Sequence, residues 1–154
     1  MEIKNLDNRI NIDQDKRLAK AYSQLNLLLM ELNKNDLPQE IIISINSQVD
    51  AINSYKELDK GLKKLVRKTQ SRITTQLEKE LKLVTKNHYR NSWLIIGMSV
   101  FGVPFGGVFA AIFENMGFFG LGLPIGMAVG LAIGSGLDVK AFEAGRQLDI
   151  ELIP

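Results

Sequence analysis

Two uncharged apolar segments, Trp93–Phe113 and Gly117–Leu137, stand almost back to back in the second half of a 154-residue chain. Each is 21 residues long, and neither contains Lys, Arg, Asp or Glu. At about 1.5 Å rise per residue, a helix of this length covers the roughly 30 Å hydrocarbon core of a bilayer. Only Glu114-Asn115-Met116 separate them, so the pair reads as a helical hairpin in a membrane. A small domain cannot cover two such segments with its own side chains, which disfavours a buried soluble pair.

Whole-chain averages hide this division. The formal net charge is +2 and the mean hydropathy is near zero. Up to Arg90, however, the chain holds 17 of its 19 Lys and Arg and 12 of its 17 Asp and Glu. The organisation expected is an N-terminal arm (1–12), a cytoplasmic helical domain (13–90), a transmembrane hairpin (91–137) and a cytoplasmic tail (138–154). The fold class is all-α: a helical hairpin or coiled coil continuing into two membrane helices, assembled as a homo-oligomer. There is no cysteine, which excludes disulfides and cysteine-based metal sites. Met1-Glu-Ile-Lys-Asn-Leu-Asp lacks the apolar core of a signal peptide.

Orientation follows from the basic residues. Lys79, Lys82, Lys86 and Arg90 precede the first segment, Lys140 and Arg146 follow the second, and the connecting turn has none. Basic residues near span ends stay cytoplasmic, so both termini are expected there and the Glu114–Phe119 turn on the far side. Tyr89 and Trp93 suit the inner interface.

In the polar part, Asp13 reads as an N-cap before a helix to about Lys34. Leu18, Tyr22, Leu25, Leu29 and Leu32 form a heptad-like stripe along it. Pro38 suits the start of a second helix. Ile42, Ile45, Val49 and Ile52 continue into Tyr55, Leu58, Leu62, Leu65, Ile73, Leu77, Leu81 and Val84. One long helix from Pro38 into the first apolar segment is therefore expected, with Gly61 its only weak point. Ile41-Ile42-Ile43 permits a strand, but the repeat behind it favours helix. Such stripes need each other, or copies from other subunits, to be buried.

Residues 56–90 carry eleven basic against four acidic side chains, a local charge of +7. Three readings stand side by side. The segment is a solvated face that anchors orientation; it is drawn to anionic lipid at about 1 kcal/mol per basic residue; or it binds an anionic ligand, a nucleotide or short single-stranded nucleic acid. The candidate ligand residues are Lys56, Lys60, Lys63, Lys64, Arg67, Lys68 and Arg72. Only Tyr55, Tyr89 and His88 are at hand for stacking, so base reading is poorly provided for.

Gly122, Gly126, Gly130 and Gly134 recur every four residues, and Gly102, Gly106 and Ala110 do the same in the first segment. Small residues at this spacing let two helix backbones approach closely in lipid. Packing within one hairpin needs a single seam, so two glycine faces favour a second contact between subunits. Pro104 and Pro124 lie inside the segments and suit either kinks or a gate. Glu114 is the one acid at the far turn. Around an axis its copies would form a cation-favouring ring at a pore mouth; alone it is a solvated carboxylate. Ser99 and Ser135 are the only hydroxyls in the two segments, so any pore lining is apolar. One histidine, no cysteine and no clustered carboxylates argue against a metal site, a cofactor and an enzyme.

The run Gly122-Leu-Pro-Ile-Gly-Met-Ala-Val-Gly-Leu-Ala-Ile-Gly, followed by Leu137-Asp138-Val-Lys-Ala-Phe-Glu-Ala-Gly-Arg-Gln-Leu, resembles the C-terminal part of small bacterial glycine-zipper membrane proteins. The resemblance implies a bacterial inner membrane and a two-span topology. The plan of a basic helical front on a two-span tail is also similar to the Hailong family of anti-phage membrane effectors. That family forms homo-oligomeric ion channels controlled by oligodeoxyadenylates from a partner nucleotidyltransferase. The likeness is architectural, and it assigns no residue. The function expected is a homo-oligomeric inner-membrane channel or membrane-disrupting effector, gated by its helical domain and acting in anti-phage defence. The alternative is a non-conducting anchor whose coiled coil recruits a partner protein. The partners expected are the bilayer, further copies of the chain and an anionic nucleotide.

Overall fold

The computed structural model describes residues 2–152. They form five helices: α1 (Lys16–Leu32), α2 (Gln39–Asn53), α3 (Lys60–Leu81), α4 (His88–Ile112) and α5 (Gly122–Glu143). No strand occurs among the described residues; Val84 and Gln147 make one isolated parallel bridge. The chain divides into two compact units. One runs from the start of the chain to Leu83 and resumes at Leu148; the other is Val84–Gln147.

In the first unit, the two predicted stripes pack on one another within a single chain. Leu18, Leu25, Leu29 and Leu32 of α1, Ile45, Val49 and Ile52 of α2, and Leu62, Ile73 and Leu77 of α3 are all buried in one cluster. At about 25 cal/mol per Å² of apolar area removed from water, this cluster is the unit's main source of stability. Ile41-Ile42-Ile43 is helical. Leu148 also enters the cluster, and the Asp149 amide donates to the Glu31 carboxylate at 3.1 Å. The tail drawn at 138–154 is therefore divided: its first residues extend α5, and its last described ones join the first unit's core.

The expected long helix from Pro38 to the first apolar segment does not form. It is broken at Ser54–Asp59 and again at Lys82–Asn87. Gly61 is not the break. Asp59 is, because its carboxylate accepts from the Leu62 amide at 2.9 Å and caps a fresh helix. α3 ends where Lys82 turns left-handed (φ 56), and the Leu83 amide reaches back to the Leu77 carbonyl at 3.2 Å. The Lys82 amide donates to the Glu78 carbonyl at 3.1 Å, the five-to-one bond of a left-handed helix stop. At α1 the cap is Asp15 rather than Asp13. Its carboxylate accepts from the Arg17 and Leu18 amides, and Ile12–Gln14 is a single 3-10 turn.

Candidate functional site

The second unit is a hairpin of α4 and α5 with a seam made of small residues. Gly122, Gly126, Gly130 and Gly134 of α5 are all buried. The buried residues of α4 are Gly97, Gly102, Gly106 and Ala110. A Cβ at Gly130 would overlap the Trp93 carbonyl oxygen, and one at Gly122 would overlap the backbone of Gly102 and Gly106. One at Gly134 would stand 2.6 Å from the Arg90 Cα. The two backbones touch along the whole seam, and no side chain fits between them. Both glycine faces are thus used by each other. The inference from two faces to a contact between subunits is corrected on this point, because one seam takes a face from each helix.

Gly97 escaped a search at four-residue spacing because it precedes Gly102 by five. Met98–Gly102 is one π-helical turn, which absorbs the extra residue and keeps both glycines on the seam. Pro104 gives the reason. It cannot donate a helical hydrogen bond, and its ring crowds the carbonyl four residues earlier, that of Val100. The wide turn makes the room. Pro124 breaks nothing: it lies in the first α-helical turn after the Met116–Leu121 3-10 turn, a position where its fixed φ and missing amide are tolerated.

Asp138 is the single charged residue buried among the described residues. Its Oδ1 accepts from the Tyr89 amide at 3.1 Å and its Oδ2 from the Arg90 amide at 2.9 Å. Those amides belong to the first turn of α4, where unpaired donors and the helix dipole favour a carboxylate. Asn87, at the cap position itself, is left-handed (φ 58) and makes no side-chain cap. α5 therefore caps α4 from across the seam. Sequence reading passed over Asp138 as a tail residue; a lone acid one turn past a glycine run was the available signal.

At the other end of the hairpin, Glu114 is exposed with φ 47, and the Asn115 carboxamide oxygen accepts from the Gly117 amide at 2.8 Å. The Phe113 and Phe118 rings pack 4.6 Å apart. Away from the seam, the hairpin is bare apolar surface. The most apolar stretches of its two helices are only 17% buried, and Ile95, Ile112 and Met116 are each more than 60% exposed. Small residues recur there too. Ala128, Ala132 and Gly136 are exposed at four-residue spacing on α5, as are Gly107 and Ala111 on α4. A Cβ at Gly107 or Gly136 would meet nothing within 4 Å.

The basic candidates are only partly assembled. Lys60, Lys64, Lys68 and Arg72 follow one another at four-residue spacing along the exposed side of α3, with Arg67 beside them. They cover about 18 Å of helix. Lys63 turns away, half-buried and 3.8 Å from Asp15, and Lys56 lies in the segment before α3. Arg72 and Lys79 share a depression of about 330 Å³ with Ser71, Thr75, Gln76 and Glu80. A row of cations on one open helix face suits an extended anionic surface better than a small enclosed ligand.

Comparison with protein-family models, with curated proteins and with solved structures found no match for this chain.

Proposed function

We propose that the chain is a membrane-embedded effector whose hairpin crosses the bilayer and associates with further copies to act on the membrane. The observation that carries this reading is the hairpin's outer surface. Two helices long and apolar enough to cross a bilayer leave nearly all of that surface uncovered, and hydrocarbon is the solvent that suits it. Small residues persist on that surface after the glycine seam has closed. Lipid gains nothing from Gly136, Ala132 or Ala128 over leucine, whereas a neighbouring helix can pack against them closely. Lys86, Arg90, Lys140 and Arg146 mark the open end of the hairpin as cytoplasmic. The cation row on α3 is then available to anionic lipid or to a nucleotide regulator.

The test is mass in detergent together with ion flux from liposomes. Oligomers that dissociate on Ala132→Leu with Gly136→Leu, while the hairpin stays folded, support the reading; a monodisperse monomer overturns it. Flux that rises with the oligomer supports a channel. A stable oligomer without flux favours the second reading, a non-conducting anchor, for which the all-apolar outer faces speak.

A further inference from the structure

The N-terminal arm forms no helix or strand of its own until Asn11, and three asparagines read its backbone. The Asn46 carboxamide accepts from the Lys4 amide at 2.7 Å and donates to the Glu2 carbonyl at 3.1 Å. Asn53 accepts from the Asp7 amide at 3.0 Å and donates to the Asn5 carbonyl at 3.2 Å. Asn33 accepts from the Ile3 amide at 2.9 Å and donates to the Ile3 carbonyl at 3.1 Å. A primary amide offers an acceptor and donors side by side, as the edge of a strand does. Each asparagine therefore replaces one rung of a sheet.

The spacing is matched to extended chain. Asn46 brackets Ile3, and Asn53 brackets Leu6. Seven helical residues rise about 10.5 Å, and three extended residues cover about 10 Å. Both bracketed side chains turn inward: Ile3 is buried, and Leu6 packs against the core. Side chains then set the register. Lys4 pairs with Asp50 at 2.7 Å, Arg9 donates to the Ile52 carbonyl at 2.6 Å, and the Tyr22 hydroxyl donates to the Asp7 carbonyl at 2.7 Å.

We propose that this groove is a peptide-docking site and that, between copies in the membrane, it takes the arm of a second chain. The inference rests on the homo-oligomeric reading above. Every recognising group lies on α1, α2 or the turn after α1, and every recognised group lies within residues 2–9. An arm from another copy satisfies them identically, which is why exchange of an equivalent element costs little. Ile10–Asp15 are the hinge, folded back by Asn11 at φ 68 and one 3-10 turn. Straightened, these six residues reach about 20 Å. Ile10 is 86% exposed, an apolar side chain that the closed arm leaves in water and that paired hinges cover. Confinement to a bilayer raises the effective concentration of the second arm.

The chain has no cysteine, so single labels are clean. Differently tagged full-length chains, one carrying Lys4→Cys and the other Asp50→Cys, are co-expressed, solubilised and treated with a short bis-maleimide. The K4C/D50C double variant, cross-linking within one chain, controls for reactivity. Exchange gives a product joining the two tags, reduced several-fold when the Asp50→Cys chain also carries Asn46→Ala and Asn53→Ala. No mixed product beside a positive control overturns the proposal while an oligomeric mass leaves the homo-oligomeric reading standing; a monomeric mass removes both. Mixed product indifferent to the asparagine substitutions also overturns it.

Discussion

A single methyl group placed on either side of α5 separates seam from surface. At Gly126 an added Cβ would stand 2.6 Å from the Gly102 Cα and 2.5 Å from the Gly97 carbonyl oxygen. Carbon atoms in contact prefer about 3.5–4.0 Å, so the helices must part by about 1 Å locally and lose contact along the seam. Both obstacles are backbone, which has no rotamer to adopt. Overpacking of a filled interior costs about 1–3 kcal/mol, and Gly126→Ala belongs toward the upper end. Gly136→Ala meets nothing within 4 Å. In a helix interior it gains about 0.5–1 kcal/mol of backbone entropy. That entropy gain is common to both variants, so they should differ by the overpacking cost, about 1–3 kcal/mol, with Gly126→Ala the less stable. Reversible unfolding in detergent reads this, followed by the fluorescence of Trp93, the only tryptophan, whose carbonyl faces Gly130. Adding Gly130→Ala to Gly126→Ala should cost less than the sum, because helices already parted admit the second methyl. Equal shifts for Gly126→Ala and Gly136→Ala would refute the assignment of the seam.

Asp138→Ala should destabilise the hairpin by about 1–3 kcal/mol, since it strips two first-turn amides of α4 of their acceptor. Asp138→Asn, which keeps one acceptor, should cost less in the same unfolding assay. Acidification should loosen α1 and α3. Backbone hydrogen bonds from Leu18 and Arg17 hold Asp15 below the ordinary value of 3.8, and that from Leu62 does the same for Asp59. A depressed folded-state pKa gives stability that is present above the ordinary value and lost as pH falls through the depressed one. Helicity by circular dichroism should thus hold to about pH 4 and decline below it, with a shallower decline in Asp15→Asn/Asp59→Asn. Leu25→Ala, at a fully buried position among all three helices' core, should cost the first unit about 2–5 kcal/mol, measured by urea unfolding of α1–α3 helicity.

Periodicity made the helical class, the α1 and α2 core stripes and the two apolar helices legible, because side-chain spacing and segment length are local properties. The glycines at four-residue spacing were legible for the same reason. Their partners were not. Whether Gly126 faces another copy or Gly97 and Gly102 depends on which surfaces meet, and a repeat in one segment carries no record of that. Gly97 was hidden by the π turn, which shifts the register that spacing assumes. The breaks at Ser54–Asp59 and Lys82–Asn87 were hidden because apolar residues continue through them at near-helical intervals, while a cap at Asp59 and a left-handed Lys82 decide the backbone. The arm was the least legible part. Asn33, Asn46 and Asn53 look like solvated polar residues until Ile3 and Leu6, some 30 to 48 positions away, are brought between them.

The sequence by itself determined that this chain has a polar, basic helical part and two helices long and apolar enough to cross a membrane, because charge, length and apolar content act residue by residue. Only the tertiary structure decided that the hairpin spends both glycine faces on itself, that Asp138 caps a helix it does not belong to, and that the arm is read by three amides. Each of these is a contact between segments far apart in the chain, and its energy exists only once folding has brought both partners within hydrogen-bonding or van der Waals range.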